Sequence, residues 1–315
     1  GLGDVYKRQG LVGIDWSPVN QKRETLMGWS RRQFMTSIGA GGLMTVASTV
    51  RAQAKLPQLI NVIAYNVYGC KGWPSDRPLA RRAVAKGQMP KRLAMELASH
   101  QPDIVSFSES PPEAVTDEVA KLLGMNVVRF PSGGNWPGTL LSRFEISNPR
   151  TAPVKGEDRP RDLFTRHWGR ATIKLPNEKE LILHSAHLHP SDDPTIRLRE
   201  IKVMLDAMQD DLDSGRSMLL IGDLNHSPDT KEYQLWRDAG WIDTFAHVGK
   251  GKGLTFKADA PFKRIDYIMA TGPIVARLLA ATPLFLGAFR LNVGDDQAFA
   301  LSDHLPQMAV FDISK

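Results

Sequence analysis

"SMLLIGDLNHSP", residues 217–228, is the stretch on which the fold turns. Met218 to Ile221 form a short apolar run that ends at Gly222, the pattern of a strand buried on both faces. Asp223 and Asn225 follow two apart, and on an extended chain side chains two apart point to the same side. A carboxylate and a carboxamide thus leave one strand tip together, before His226 and Pro228 turn the chain away. A charged group capping a buried strand is costly unless it is paired or bound to a cation. The tip therefore reads as part of a site.

Working outward, runs of the same kind recur: "LINVIAYNV" (59–67), "DIVSFSE" (103–109), "GTLLSRFEI" (138–146), "RATIKL" (170–175), "LILHSAHL" (181–188), "RIDYIMAT" (264–271) and "LPQMAVFDI" (305–313). Each is expected to be a strand. Between them, "MPKRLAMELASH" (89–100) has Leu93, Met95, Leu97 and Ala98 on roughly one side, with Pro90 in its first turn. "TIRLREIKVMLDAMQDDL" (195–212) spaces Ile196, Leu198, Ile201, Met204, Leu205 and Met208 as a helix would. Both stripes read as core. Strands and helices interleave, several strand pairs have hairpin-length links, and no linker or repeat interrupts the chain after Lys55. One mixed α/β domain over 55–315 is expected.

Other strands end as the first one does. Asn66 closes "IAYN", Glu109 closes "DIVSFSE", and His187 and His189 close "HSAHLH". Asp266 sits inside an apolar strand, and Asp303 and His304 precede the last one. Taken singly, each has a plain structural reading. The asparagines and Asp223 suit turns, Glu109 suits a solvated loop before Pro111-Pro112, and Asp266 suits a buried ion pair with Arg264 or another base. His304 alone, like His100, His167, His184, His226 and His247, suits a structural role. Together, these oxygen-rich groups suit a hard cation such as Mg²⁺ or Mn²⁺.

The ordered set resembles the endonuclease/exonuclease/phosphatase superfamily of metal-dependent phosphoesterases. "AYNVYG", "DIVSFSES", "LSRFEI", "AHL", "GDLN", "RIDYI" and "SDHLP" match its motifs in order across 58–313. Ser108, Leu224 and Ala186 depart from its usual Gln, Phe and Thr. The resemblance implies a four-layer α/β/β/α sandwich, two mixed β-sheets flanked by helices, with the strand-tip loops gathered at one edge. It implies Mg²⁺ or Mn²⁺ held by Glu109 with Asn66 and Asp303. It also implies His304 as general base oriented by Asp266, Asp223 orienting the attacking water, and Asn225 and His187 as hydrogen-bond donors to the phosphate. The implied reaction is hydrolysis of a phosphodiester, in nucleic acid or a phospholipid headgroup. A phosphomonoesterase for sugar or inositol phosphates, or a silent phosphate-binding protein, is the alternative.

Charge says little about the substrate. Of the 40 Lys/Arg and 34 Asp/Glu, seven and three lie in residues 1–54, so four of the six net positive charges belong to that leader. Two basic segments remain as substrate-binding candidates. "CKGWPSDRPLARRAVAKGQMPKR" (70–92) includes Arg81 and Arg82, and "RDLFTRHWGRA" (161–171) includes Arg161, Arg166 and Trp168. With Cys70 as the single cysteine there is no internal disulfide and no cysteine-based zinc cluster.

The leader has three parts. Paired Arg31-Arg32 before Phe34, the mildly apolar run 37–50, and Ala52-Gln53-Ala54 together resemble a twin-arginine export signal over 27–54. The run is too short for a comfortable membrane span. The expectation is cleavage after Ala54 and delivery to the periplasm or beyond by the twin-arginine machinery, with no stable protein partner. Residues 1–26 read as upstream sequence, because "DVYKRQ" looks like a translated sequencing adapter.

Overall fold

The computed structural model describes residues 58–152, 160, 162–177 and 179–314. The expected signal over 27–54, the residues before it and Arg161 lie outside them. Within the described residues, twelve strands form two six-stranded sheets. In the first the order is β11 (Leu278–Pro283), β12 (Gln307–Asp312), β1 (Leu59–Asn66), β2 (Ile104–Ser108), β4 (Gly138–Ser142), β3 (Asn126–Phe130). In the second it is β5 (Ile146–Thr151), β6 (Trp168–Lys174), β7 (Glu180–His187), β8 (Met218–Asp223), β10 (Asp266–Thr271), β9 (Ile242–Asp243). β1–β2 and β7–β8 are parallel and the remaining pairs antiparallel, so both sheets are mixed.

Alternation within each strand explains the layering. In β1, Ile60, Val62 and Ala64 join the core between the sheets, while Ile63 and Tyr65 face outward into a second core. β8 divides the same way, Leu219 and Ile221 inward and Met218 and Leu220 outward. Burial on both faces is why these strands read as unbroken apolar runs. Each fully buried Ile, Leu or Phe contributes roughly 1.5–3 kcal/mol. Helices α1 (Pro78–Ala85), α2 (Met89–Ala98) and α3 (Glu113–Leu123) cover the outer face of the first sheet. Helices α4 (Thr195–Asp213) and α5 (Lys231–Asp238) cover that of the second, and α6 (Thr244–Val248) caps the central core through Phe245. This is the expected α/β/β/α sandwich.

Local expectations differ in three places. "GTLLSRFEI" is two strands, β4 and β5, in different sheets; Ser142 Oγ accepts from Phe144 N at 2.9 Å in the turn between them. In α2, Met95 points to solvent at 74% exposure, and Ala94 with Met89 takes its expected place in the core beside Leu93 and Leu97. In α4, Leu198 and Leu205 are only partly buried, whereas Arg197 and Glu200 are buried. Strands β3, β9 and β11 carry too little alternation or length to be read from sequence.

Candidate active site

Strand register assembles the site. His187 at the end of β7 is the parallel partner of Asp223 at the end of β8, and Asp266 at the start of β10 is its antiparallel partner. Three of the candidate side chains thus lie abreast on neighbouring strands. From the other sheet, β1 ends at Asn66, and Glu109 follows β2 in a left-handed conformation, φ +50°. Gly222, at φ +144°, lets β8 press against β7; a Cβ there would lie 1.9 Å from the Ala186 carbonyl oxygen. Only glycine fits that approach.

Asn225 reaches the site by a turn, not by strand alternation. Strand β8 stops at Asp223, Asn225 has φ +52°, and its backbone N–H donates to Asp223 Oδ1 at 3.1 Å. Its side-chain amide donates to the Leu188 carbonyl at 2.9 Å, which leaves one N–H free to face the cleft. Asn66 acts as a clamp. Its amide nitrogen lies 3.2 Å from Glu109 Oε1 and 3.1 Å from Asp223 Oδ2, while its oxygen accepts from Tyr68 N.

His304 Nδ1 lies 2.9 Å from Asp266 Oδ2, and His304 Nε2 lies 3.7 Å from Asp223 Oδ2. The plain reading of Asp266 as a partner of Arg264 fails, because Arg264 pairs with Asp243 instead. Ser302 fixes the loop: its hydroxyl donates to the Asn66 carbonyl at 2.6 Å and accepts from His304 N at 3.2 Å. Phe256 packs on the imidazole with ring centroids 4.9 Å apart.

These groups open on a cleft of about 420 Å³ lined by Glu109, Asp223, Asn225, Asp303, His187 and His304, with Arg166, Arg197 and Lys263 at its walls. Negative charge dominates its floor. Burial and the neighbouring Asp266 push the Asp223 carboxyl up to about 7, and burial raises Glu109. Burial opposes charge on His304 too, but the Asp266 and Asp223 carboxylates outweigh it and raise the imidazole to about 10. His187 is held neutral, well below the usual range, by burial and by the nearby His167 and Arg166. Asp266 Oδ1 is buried with no hydrogen-bond partner. Carboxylates packed until one is driven toward protonation, beside a carboxylate oxygen left unpaired, are a donor set suited to a hard divalent cation. Among the described residues, the trio whose candidate ligand atoms all lie within 4.8 Å of one another is Asp223, Asp266 and His304. The Asp266–His304 hydrogen bond already engages two of these, which leaves the seat beside Glu109 the more open one.

Three expected substrate contacts, Trp168, Arg81 and Arg82, are not in the cleft. Trp168 is fully buried, its indole donating to His184 Nδ1 at 3.2 Å, and it belongs to the core. Arg81 and Arg82 sit exposed on α1 and do not line the cleft. Arg166 does line it, and its guanidinium lies 5.4 Å from the Trp136 ring centroid. Nothing in local sequence marks Trp136, Arg197 or Lys263; the loops of Trp136 and Lys263 and the first turn of α4, which carries Arg197, come together only in three dimensions.

The geometry agrees with comparison to known proteins. A family model described as the Endonuclease/Exonuclease/phosphatase family matches residues 63–304. No curated protein matches the chain. Among solved structures, a mannosyl-6-phosphatase of Bacteroides thetaiotaomicron is similar at 16% identity and TM-score 0.61, over 79% of this chain and 98% of its own. An AP endonuclease of Archaeoglobus fulgidus is similar at 18% identity and TM-score 0.58, over 81% of this chain and 100% of its own. A truncated TDP2 of Caenorhabditis elegans is similar at 17% and 0.58, over 81% and 98%. At these identities the structures speak for the fold, and the family match spans most of the chain. The chain belongs to the endonuclease/exonuclease/phosphatase family, whose members are typically hydrolases of phosphoester bonds.

Proposed function

We propose that the protein is an exported, divalent-metal-dependent phosphoesterase that hydrolyses a phosphodiester by direct attack of water. The observation that carries this reading is the His304–Asp266 hydrogen bond, with the other imidazole nitrogen turned toward Asp223 at the cleft floor. His304 Nε2 takes the proton of the attacking water, and Asp266 holds the tautomer and stabilises the imidazolium. Asp223 orients that water. Asn225 and neutral His187 donate hydrogen bonds to the phosphate as charge builds on it.

Glu109 and Asp303, with Glu109 clamped by Asn66, would hold Mg²⁺ or Mn²⁺. When bound, the ion would offset charge on the phosphate and on the carboxylates that now keep His304 protonated. Arg166, backed by Trp136, supplies a cation at the cleft wall for the substrate's remaining negative charge. The substrate class favoured is a diester of nucleic acid or a phospholipid headgroup.

The test compares bis(4-nitrophenyl) phosphate with 4-nitrophenyl phosphate in Mg²⁺, Mn²⁺ and EDTA, with His304→Ala as the control. Metal-dependent cleavage of the diester, lost in the variant, is expected. Cleavage of the monoester alone would redirect the assignment to sugar or inositol phosphates, and turnover surviving in EDTA would remove the metal. Export rests on the paired arginines of the leader. Replacing Arg31 and Arg32 by lysine is expected to retain the protein in the cytoplasmic fraction of a bacterial host, and unchanged export would refute that route.

A further inference from the structure

The basic segment that does not reach the cleft forms a surface of its own. From Arg77 to Met95 the chain carries six Lys/Arg and no Asp or Glu. Its two helices, α1 and α2, bury Ala80, Ala83, Leu93 and Leu97 against the first sheet and turn their cations outward. Arg81, Arg82, Lys86, Lys91 and Arg92 are all exposed. Large apolar side chains stand exposed among them, Leu79 at 42%, Val84 at 46% and Met95 at 74%. The loop carrying Leu286, itself 71% exposed, lies beside α2, since a Cβ on Gly287 would fall 1.9 Å from Glu96 Oε1.

Between the helices and the segment Ala298–Phe299 is a hollow of about 440 Å³ lined by Arg82, Lys86, Gln88, Arg92 and Phe299. Arg92 lies over the Phe299 ring at 5.6 Å, and both side chains line the hollow. Scattered exposed apolar residues are ordinary. A helix pair that exposes Leu, Val and Met among five exposed cations, with the half-buried Glu96 as its one acid, is the pattern of a surface that lies on an anionic bilayer.

We infer that the α1–α2 face docks on anionic phospholipid, with headgroup phosphates against Arg82, Lys86 and Arg92 and with Leu79, Val84 and Met95 entering the boundary of the acyl region. Charge complementarity selects an anionic partner. The aliphatic residues select lipid over nucleic acid, because neither helix presents an aromatic ring on which a base could stack. The inference does not depend on the proposed chemistry. The loop from Ala298 to His304 joins this hollow to the cleft, so the docked face and the site share one segment.

The experiment uses the full chain with an environment-sensitive dye on Met95→Cys, Cys70 being buried, and a second preparation labelled at Asp206→Cys on α4. The probes are vesicles of phosphatidylcholine with and without phosphatidylglycerol. The dye at position 95 is expected to shift to the blue with the anionic vesicles alone and to recover in high salt. The dye at 206 should stay unchanged. Arg81→Glu, Arg82→Glu and Lys86→Glu together should weaken the partition about a hundredfold or more, with thermal unfolding unchanged. A silent dye at 95, or equal shifts at both positions, would overturn the inference, since binding through the leader alone moves neither dye selectively. A response to duplex or single-stranded DNA but not to vesicles would also overturn it and assign the face to nucleic acid.

Discussion

Single residues in this protein are positioned by neighbours far away in sequence. His304 gains its orientation from Asp266, 38 residues earlier, and Asp223 gains its environment from Asn66, 157 residues earlier. Asp266 is therefore the sharpest test at this scale. In Asp266→Asn the amide can present its N–H to His304 Nδ1, which disfavours the tautomer that leaves Nε2 free to accept a proton. Turnover of a diester should fall about 10²- to 10⁴-fold with the fold unchanged by circular dichroism. A kcat within a few-fold of the parent would take Asp266 out of the reaction. Arg264 shows the converse case: two residues from Asp266 in sequence and opposite in charge, it is committed to Asp243 instead.

Between elements, neutral histidines serve as buried connectors. His184 on β7 accepts from Trp168 on β6, and His226 after β8 accepts from Trp236 on α5, each at 3.2 Å. His167 Nε2 lies 2.8 Å from Ser185 Oγ, and Ser185 lies 2.7 Å from Ser106 of the opposite sheet, so this chain of hydrogen bonds spans the sandwich. Burial lowers His167 and His184 to about 3 and His226 to about 4. Folded values below the ordinary one mean that the unfolded chain takes up these protons first. The stability is thus complete above about 6.5 and is lost as pH falls from there toward 3, by roughly 1.4 kcal/mol per histidine per pH unit. His304, raised to about 10, and Asp223, raised to about 7, act in the opposite sense, so the histidine share is read below pH 6, where the thermal midpoint should drop. A His184→Gln variant, whose amide oxygen can accept from Trp168, should show a shallower drop. A flat midpoint down to pH 4.5 would contradict the neutral buried state.

At the scale of the whole molecule, the sequence by itself determined the class of fold and named many of the polar residues that line the candidate site. Strands buried on both faces leave unbroken apolar runs, and a polar residue ending such a run stands out against them. That contrast marked Asp223, Asp266 and Glu109, and it was the ordered set of motifs, not any one of them, that brought His304 in with them. Tertiary structure alone decided the rest. Whether "GTLLSRFEI" is one strand or two depends on which sheet accepts each half. Whether an Arg-rich segment flanks the cleft or covers the outer face of a sheet depends on where its helices pack, and α1 and α2 pack away from the cleft. Trp168 stands two residues from Arg166 in sequence yet is core, whereas Trp136, thirty residues away, backs Arg166 at the cleft wall. Local sequence records which residues prefer burial. The partners they meet there are set by register across strands and by contacts between sheets, which no single segment contains.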